Sequence, residues 1–285
     1  MFDKINQEKA IYERKSRIGF TITIVAFILF IPAGMAAGPL GAFMMMIPFM
    51  GGAIYSGNQS KKIKEISVNF KKEYLTKELI KYFQYSDYKP YDGFKEKEVV
   101  YSNLLFERDR YYSEDLIMGS FDGVNFRCSD VKQEDVRKSG KSTKVVTVFQ
   151  GRFYEFGFHK SFKHDLLLLQ PFNFRPFSGF TKVETESIEF NSELKIYAKD
   201  AHEAFYILTP DFMERIKYLD DKYLDKISFS FKDNKLFVAI DSRKDYFDIK
   251  PFKQIDESLI QEYREEFNDI KEFISVLNLN STLFK

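Results

Sequence analysis

From Ile18 to Ser60 the chain carries no Asp, Glu, Lys, Arg or His, and its residues are mostly apolar. A membrane helix needs about 20 such residues to cross the hydrocarbon core, so this run is about twice the length of one span. Gly34, Gly38, Pro39 and Gly41 fall near its middle, with Pro32 just ahead. Proline lacks a backbone donor and glycine accepts a tight turn. The pattern therefore predicts a helical hairpin, one helix over Ile18 to Ala37 and a second over Leu40 to Tyr55, making residues 18–57 a transmembrane region. Two other readings remain for this stretch. One is a signal peptide built from Ile18 to Ile31 with small residues at Ala36 and Ala37, but a second apolar run follows at once. The other is a buried helical pair, in which so long an uncharged run is uncommon.

Beyond this stretch the period of the apolar positions changes along the chain. Residues 61–84 repeat Ile63, Ile66, Phe70, Tyr74, Leu75, Leu79, Ile80 and Phe83 at three and four, an amphipathic helix next to the apolar run. Such a helix packs on its own domain, pairs with a copy of itself to give a homo-oligomer, or lies at the lipid surface. Tyr85 to Gly93 is rich in turn residues and marks the start of a body over residues 94–285. A short helix is expected over Phe94 to Leu105. Strands are expected at Tyr111 to Gly119 and Val124 to Cys128, joined at Asp122-Gly123. Val131 to Thr143 reads as a polar loop. Further strands are expected at Val145 to Phe149, Arg152 to His159, Leu166 to Gln170 and Thr181 to Val183, and an extended piece at Ser187 to Ala198. Pro210 opens a helix behind the cap residue Thr209. Ile227 to Phe231 and Leu236 to Ile240 form a hairpin, and Asp256 to Leu277 a closing helix. The predicted fold class is α+β: a two-helix transmembrane hairpin, then a body of mostly antiparallel strands with packed helices.

Charge sets the expected orientation. Lys4, Lys9, Arg14, Lys15 and Arg17 precede the apolar run, and Lys61, Lys62, Lys64, Lys71 and Lys72 follow it. Cytoplasmic flanks collect Lys and Arg, so a hairpin with both termini in the cytoplasm of an inner membrane satisfies both clusters, and residues 1–17 become a cytoplasmic tail. Over the whole chain 43 basic residues nearly balance 42 acidic ones, so no broad basic field favours nucleic acid. Cys128 is the one cysteine, which rules out an intrachain disulfide and a multi-cysteine zinc site. Its alternating neighbourhood predicts a half-buried strand residue.

Candidate chemistry is sparse. Gly140-Lys141-Ser142-Thr143 has the tail of a phosphate-binding loop, but the glycine required five residues earlier is Asp135. The expectation is a solvated loop. His159 and His164, with Glu155 and Asp165, are spaced five apart, which matches neither a helix face nor a strand face. Glu114 and Asp115, adjacent on a strand, are expected on opposite faces, and a turn or a pairing with Arg108 or Arg110 fits them better than an acid–base pair. No catalytic, cofactor-binding or metal-binding residue is assigned, and no cofactor is implied.

Four blocks resemble a bacterial, membrane-anchored family, the domain-of-unknown-function family 3137. They are Tyr111–Gly123, Val148–Phe162, Leu194–Ile216 and Ile227–Ile240, and the likeness they carry spans roughly half of the chain. The resemblance implies a membrane anchor near the amino end and brings no catalytic residues with it. The expected function is a membrane-anchored cytoplasmic interaction or binding protein. Its partners are the lipid bilayer, through residues 18–57, and a protein or lipid headgroup. The alternative is an enzyme acting on a membrane-associated substrate. A deep pocket with convergent acid, base or nucleophile would favour the enzyme.

Overall fold

The computed structural model describes residues 2–140, 142–158, 162–170, 179–224 and 226–280. The chain divides into two units: Met1–Tyr74 with Asp248–Gln261, and Leu75–Phe247 with Glu262–Lys285.

The first unit is built on α1, Phe2–Tyr82. The two separate helices expected with a breaker-rich connection are instead one helical element, which continues through the amphipathic residues 61–82. Only Gly38 leaves helical geometry, at φ 62° and ψ −154°, a conformation that costs glycine little. Pro39 follows directly, where the hydrogen bond it cannot make is already interrupted. The element doubles back at this one residue. Ser16 Oγ lies 3.1 Å from Ser56 Oγ, whereas a straight helix would hold them about 60 Å apart. Small residues permit the close approach: a Cβ on Gly19 would sit 2.9 Å from the Gly52 carbonyl oxygen. At the amino end, Asn6 exchanges two hydrogen bonds with the Ile255 backbone, at 2.8 and 2.9 Å. Lys9 donates to the carbonyls of Lys250 and Lys253, and Glu13 accepts from Phe252 N at 2.7 Å. These bonds fasten residues 250–255 to the first turns of α1.

Among the described residues the second unit holds nine strands: β1 Tyr85–Lys89, β2 Arg110–Phe121, β3 Val124–Ser139, β4 Ser142–Gly157, β5 Leu166–Leu169, β6 Thr181–Val183, β7 Lys195–Ala198, β8 Ile227–Lys232 and β9 Lys235–Ile240. Their order in one sheet is β1-β2-β3-β4-β9-β8-β5-β7-β6, and every pairing is antiparallel. The helices are α2 Glu96–Tyr101, α3 Ile188–Glu193, α4 Ala201–Ile207, α5 Pro210–Lys222 and α6 Glu257–Val276.

Several local expectations are corrected. The turn-rich segment from Tyr85 is strand β1, which tolerates a polar sequence because it lies at the sheet edge. The polar loop at Val131 to Thr143 is the distal half of a long hairpin, with Val136 opposite Val145 and Arg137 opposite Lys144. Beyond Glu134 the two strands run past β2 and β9, and Arg137, Lys138 and Thr143 to Val145 are exposed, so no alternation is required there. The two strands expected on either side of Gln150 are the single strand β4, with a register shift opposite Gln133 and Glu134. The extended piece from Ser187 begins as α3, capped by Ser187, whose hydroxyl accepts from Phe190 N. Helix α4, which hydrophobic periodicity misses, is capped by Asp200 accepting from His202 N and Glu203 N.

Both faces of the sheet are covered. On one, Tyr154 and Phe156 of β4 meet Phe273 of α6 at 5.1 and 5.9 Å between ring centroids, and Phe231 of β8 meets Phe212 of α5 at 5.9 Å. On the other, Phe153, Phe237, Leu167 and Leu169 pack with Phe94, Val99 and Leu104 from the segment around α2. Phe229 is fully buried on the α5–α6 face, while its neighbour Ser228 turns to the other face and stays partly exposed. Phe229→Ala removes burial energy and leaves a cavity, at a cost of about 3–5 kcal/mol. Thermal unfolding of the detergent-solubilised protein should show a large drop in midpoint for Phe229→Ala and little change for Ser228→Ala. Equal effects would refute this register.

Candidate functional site

Three arrangements in the second unit combine polar chemistry with a defined place in the fold. The first is a cleft on the α2 face, with a cavity of about 130 Å³. Its floor is Phe149, Leu169 and Ala239, its wall Leu104 and Leu105 after α2, and its rim Arg108, Gln133, Gln170, Lys226, Ser228 and Asp241. The rim is tied down. Gln133 donates to the Phe106 carbonyl at 2.7 Å, and Gln170 donates to Asp220 and to the Ile227 carbonyl. Asp241 accepts from Gln150 N at 3.2 Å and pairs with Arg243 at 3.0 Å. Burial still raises its carboxyl above the ordinary range. Arg108 pairs with Asp135 at 3.4 Å, yet its Nε, shielded from solvent, meets no acceptor among the described residues. An apolar floor with a cationic, donor-bearing rim is suited to holding a small amphipathic anion.

The second arrangement lies on the opposite face. Arg152 of β4 is completely buried. Its guanidinium donates to Asp130 at 3.0 Å and to Cys128 Sγ at 3.2 Å, and lies 4.7 Å from the centroid of the Phe247 ring. Cys128 is thus wholly buried, not half-buried, and burial pushes its thiol up to about 11. That leaves a poor nucleophile near neutral pH. Asp130 also accepts from Tyr246 N at 3.1 Å. Glu266 of α6 stands 4.0 Å from Arg152 Nε, beyond hydrogen-bond reach, and both atoms lack partners among the described residues. This cluster is closed to solvent and ties β3, β4, the segment before Asp248 and α6 together.

The third is acidic. Carboxylate oxygens of Glu114, Asp115 and Asp245 lie within 4.8 Å of one another. Strand alternation had put the first two on opposite faces. A register shift between Glu114 and Ile117 breaks that alternation, with Asp115 at φ 58°. Asp115 is buried and accepts from the Tyr88 hydroxyl, so its carboxylate already has a structural partner. Arg108 and Arg110 pair with Asp135 and Glu134 instead.

The remaining candidates are dispersed. Glu155 pairs with Arg127 and Lys235, and Asp165 with Lys199 and Lys232. His164 faces Glu203 at 3.8 Å, and His159 lies outside the described residues. Gly140 and Ser142 belong to the β3–β4 hairpin rather than to a loop that leads into a helix, and Lys141 lies outside the described residues.

Residues 147–279 match the model of a family described as Protein of unknown function (DUF3137). The chain resembles this family from β4 through α6. Three of the four sequence blocks fall inside the DUF3137 match, and Tyr111–Gly123 lies outside it. No curated protein matches the chain. A solved structure, the crystal structure of the mycobacterial trehalose monomycolate transport factor A, is similar at a TM-score of 0.38 and 10% identity, over 67% of this chain and 88% of that one. So slight a likeness carries no argument here.

Glu266 gives a test of the buried cluster. Burial pushes it up to about 8 against the pull of Arg152, whereas an exposed glutamate titrates near about 4.3. Between these values the folded protein holds a proton that the unfolded chain has released, so stability falls as pH rises across this window. At about 1.4 kcal/mol per pKa unit, the loss is of the order of a few kcal/mol. Glu266→Gln keeps the shape and removes the titration. Its unfolding midpoint relative to wild type should rise steadily from about pH 5 to about pH 8.5. Parallel pH profiles for the two proteins would disprove the assignment.

Proposed function

We propose that this protein is a membrane-anchored binding protein. Its α1 turns back within the bilayer at Gly38, both its termini lie in the cytoplasm, and its sheet body engages a ligand or partner. The observation that carries the anchor is exposure. Phe27, Ile31, Leu40 and Ile47 are 67% to 70% exposed, and the apolar part of α1 is only 11% buried. The core helix of a water-surrounded protein would bury such residues, whereas lipid solvates them. The two arms satisfy their backbone groups internally and meet through Gly19, Gly52, Ser16 and Ser56. That is the small-residue packing expected of helices in lipid. For the body, the cleft supports holding a ligand more than transforming one. Gln133, Gln170 and Asp241 of its rim are committed to structural hydrogen bonds, and the one cysteine is buried and held as a thiol. Reporter fusions at the amino end and after Lys64 test the topology. Both should report cytoplasm. A periplasmic signal from the later fusion would replace the hairpin with a single span.

A further inference from the structure

Beyond their neighbours, β3 and β4 continue as a free two-stranded arm. Pairing of β2 with β3 begins at Arg110 opposite Glu134, and pairing of β4 with β9 covers only Arg152–Gly157. The base of the arm is held by Arg243, whose guanidinium donates to the carbonyls of Thr147 and Val148 at 2.9 and 3.1 Å. Asp109 accepts from Val136 N at 2.6 Å on the other edge. Past these bonds the arm is basic. Arg137 and Lys144 sit directly opposite each other on one face, and Lys138 opposite Thr143 on the other. Like charges directly opposed on a ladder destabilise it. Only Arg137 has a carboxylate nearby, Asp135 at 4.0 Å, and that group is shared with Arg108. Lys138 and Lys144 form no ion pair among the described residues. A ladder that keeps two cations face to face at an exposed tip is suited to an external anion.

The charge and reach of the arm narrow the occupant. In the second unit β4 and α6 run the same way: Arg152 lies at Glu266, and Tyr154 and Phe156 lie at Phe273. The arm therefore extends past the end of the sheet body at which Arg152 meets Phe247 and Glu266. From Arg152 to Ser142 an extended strand spans about 33 Å. We propose that this arm is a second membrane contact, in which Arg137, Lys138 and Lys144 bind the anionic headgroups of the bilayer. The inference rests on the reading that α1 is membrane-embedded. A tethered body meets its own bilayer at high effective concentration, and each Lys or Arg near an anionic surface adds to the attraction.

The test uses the full chain carrying Thr143→Cys, labelled with a fluorophore. Cys128, wholly buried, does not compete for the label. The protein is reconstituted into vesicles of phosphatidylcholine, or of phosphatidylcholine with phosphatidylglycerol, each containing a headgroup-linked quencher. Quenching should be strong in the anionic vesicles and fall to the neutral-lipid level in high salt. The same loss is expected when Arg137→Glu, Lys138→Glu and Lys144→Glu are combined. Equal quenching in both lipids, or undiminished quenching in the charge-reversed protein, overturns the inference. So does a label that stays unquenched in anionic vesicles but responds to an acidic peptide or to oligonucleotide. Flotation separates the two readings. Protein that fails to float with the vesicles defeats the anchor itself, whereas protein that floats with an unquenched label defeats only the arm.

Discussion

The sheet depends on the alternation of side chains along β4. In five consecutive residues this strand sends Arg152, Tyr154 and Phe156 to one face and Phe153 and Glu155 to the other. It lies between β3 and β9 and so has no free edge there, and from Arg152 to Phe156 both of its faces are buried. Each face must then be covered, by α5 and α6 on one side and by the segment around α2 on the other. A register slip of one residue would send Arg152 into the apolar cluster of Phe153, Phe237 and Leu167.

Placing an arginine at such a position has consequences for everything it touches. An unpaired buried charge is strongly unfavourable, so Asp130 comes from the neighbouring strand, directly opposite in register. Aromatic rings of Phe247, Tyr246 and Tyr154 lie around the guanidinium, and Cys128 Sγ accepts from its second terminal nitrogen, while Nε meets no acceptor among the described residues. Glu266 is near but not hydrogen-bonded, and burial raises its carboxyl against the pull of Arg152. A buried ion pair is weak support for stability compared with packed apolar groups. What this one achieves is connection: it links two central strands and the segment ending at Phe247 through directional contacts, and reaches α6 through the charge of Glu266.

The first unit solves a different problem. Its apolar residues point outward, so cohesion comes from close backbone approach at Gly19 and Gly52 and from serine hydroxyls near the base of the arms. The amino-terminal turns of α1 carry polar side chains that satisfy backbone groups of residues 250–255, a segment almost the whole chain away in sequence. A stretch that reads as a mixed-charge tail is therefore a structural partner, because its Asn6, Lys9 and Glu13 repeat at helical spacing along one face.

The sequence by itself determined what local chemistry can encode. The uncharged run with breakers near Gly38, the cap at Thr209 ahead of Pro210, the turn at Asp122-Gly123, the β8–β9 hairpin and the apolar stripe of α6 were all legible, because periodicity and turn residues act over a few positions. Ser187 and Asp200 carried cap signals for α3 and α4 that hydrophobic spacing alone passes over. Tertiary structure alone decided the rest. The long arm of β3 and β4 has no buried face and hence no alternation to read. The bulge at Asp115 breaks the alternation and brings the carboxylates of Glu114 and Asp115 together. The cleft takes residues from six separate segments, and the Arg152 cluster joins positions more than a hundred residues apart. Pairing of distant strands is set by which faces can be buried together, and no window of neighbouring residues contains that information.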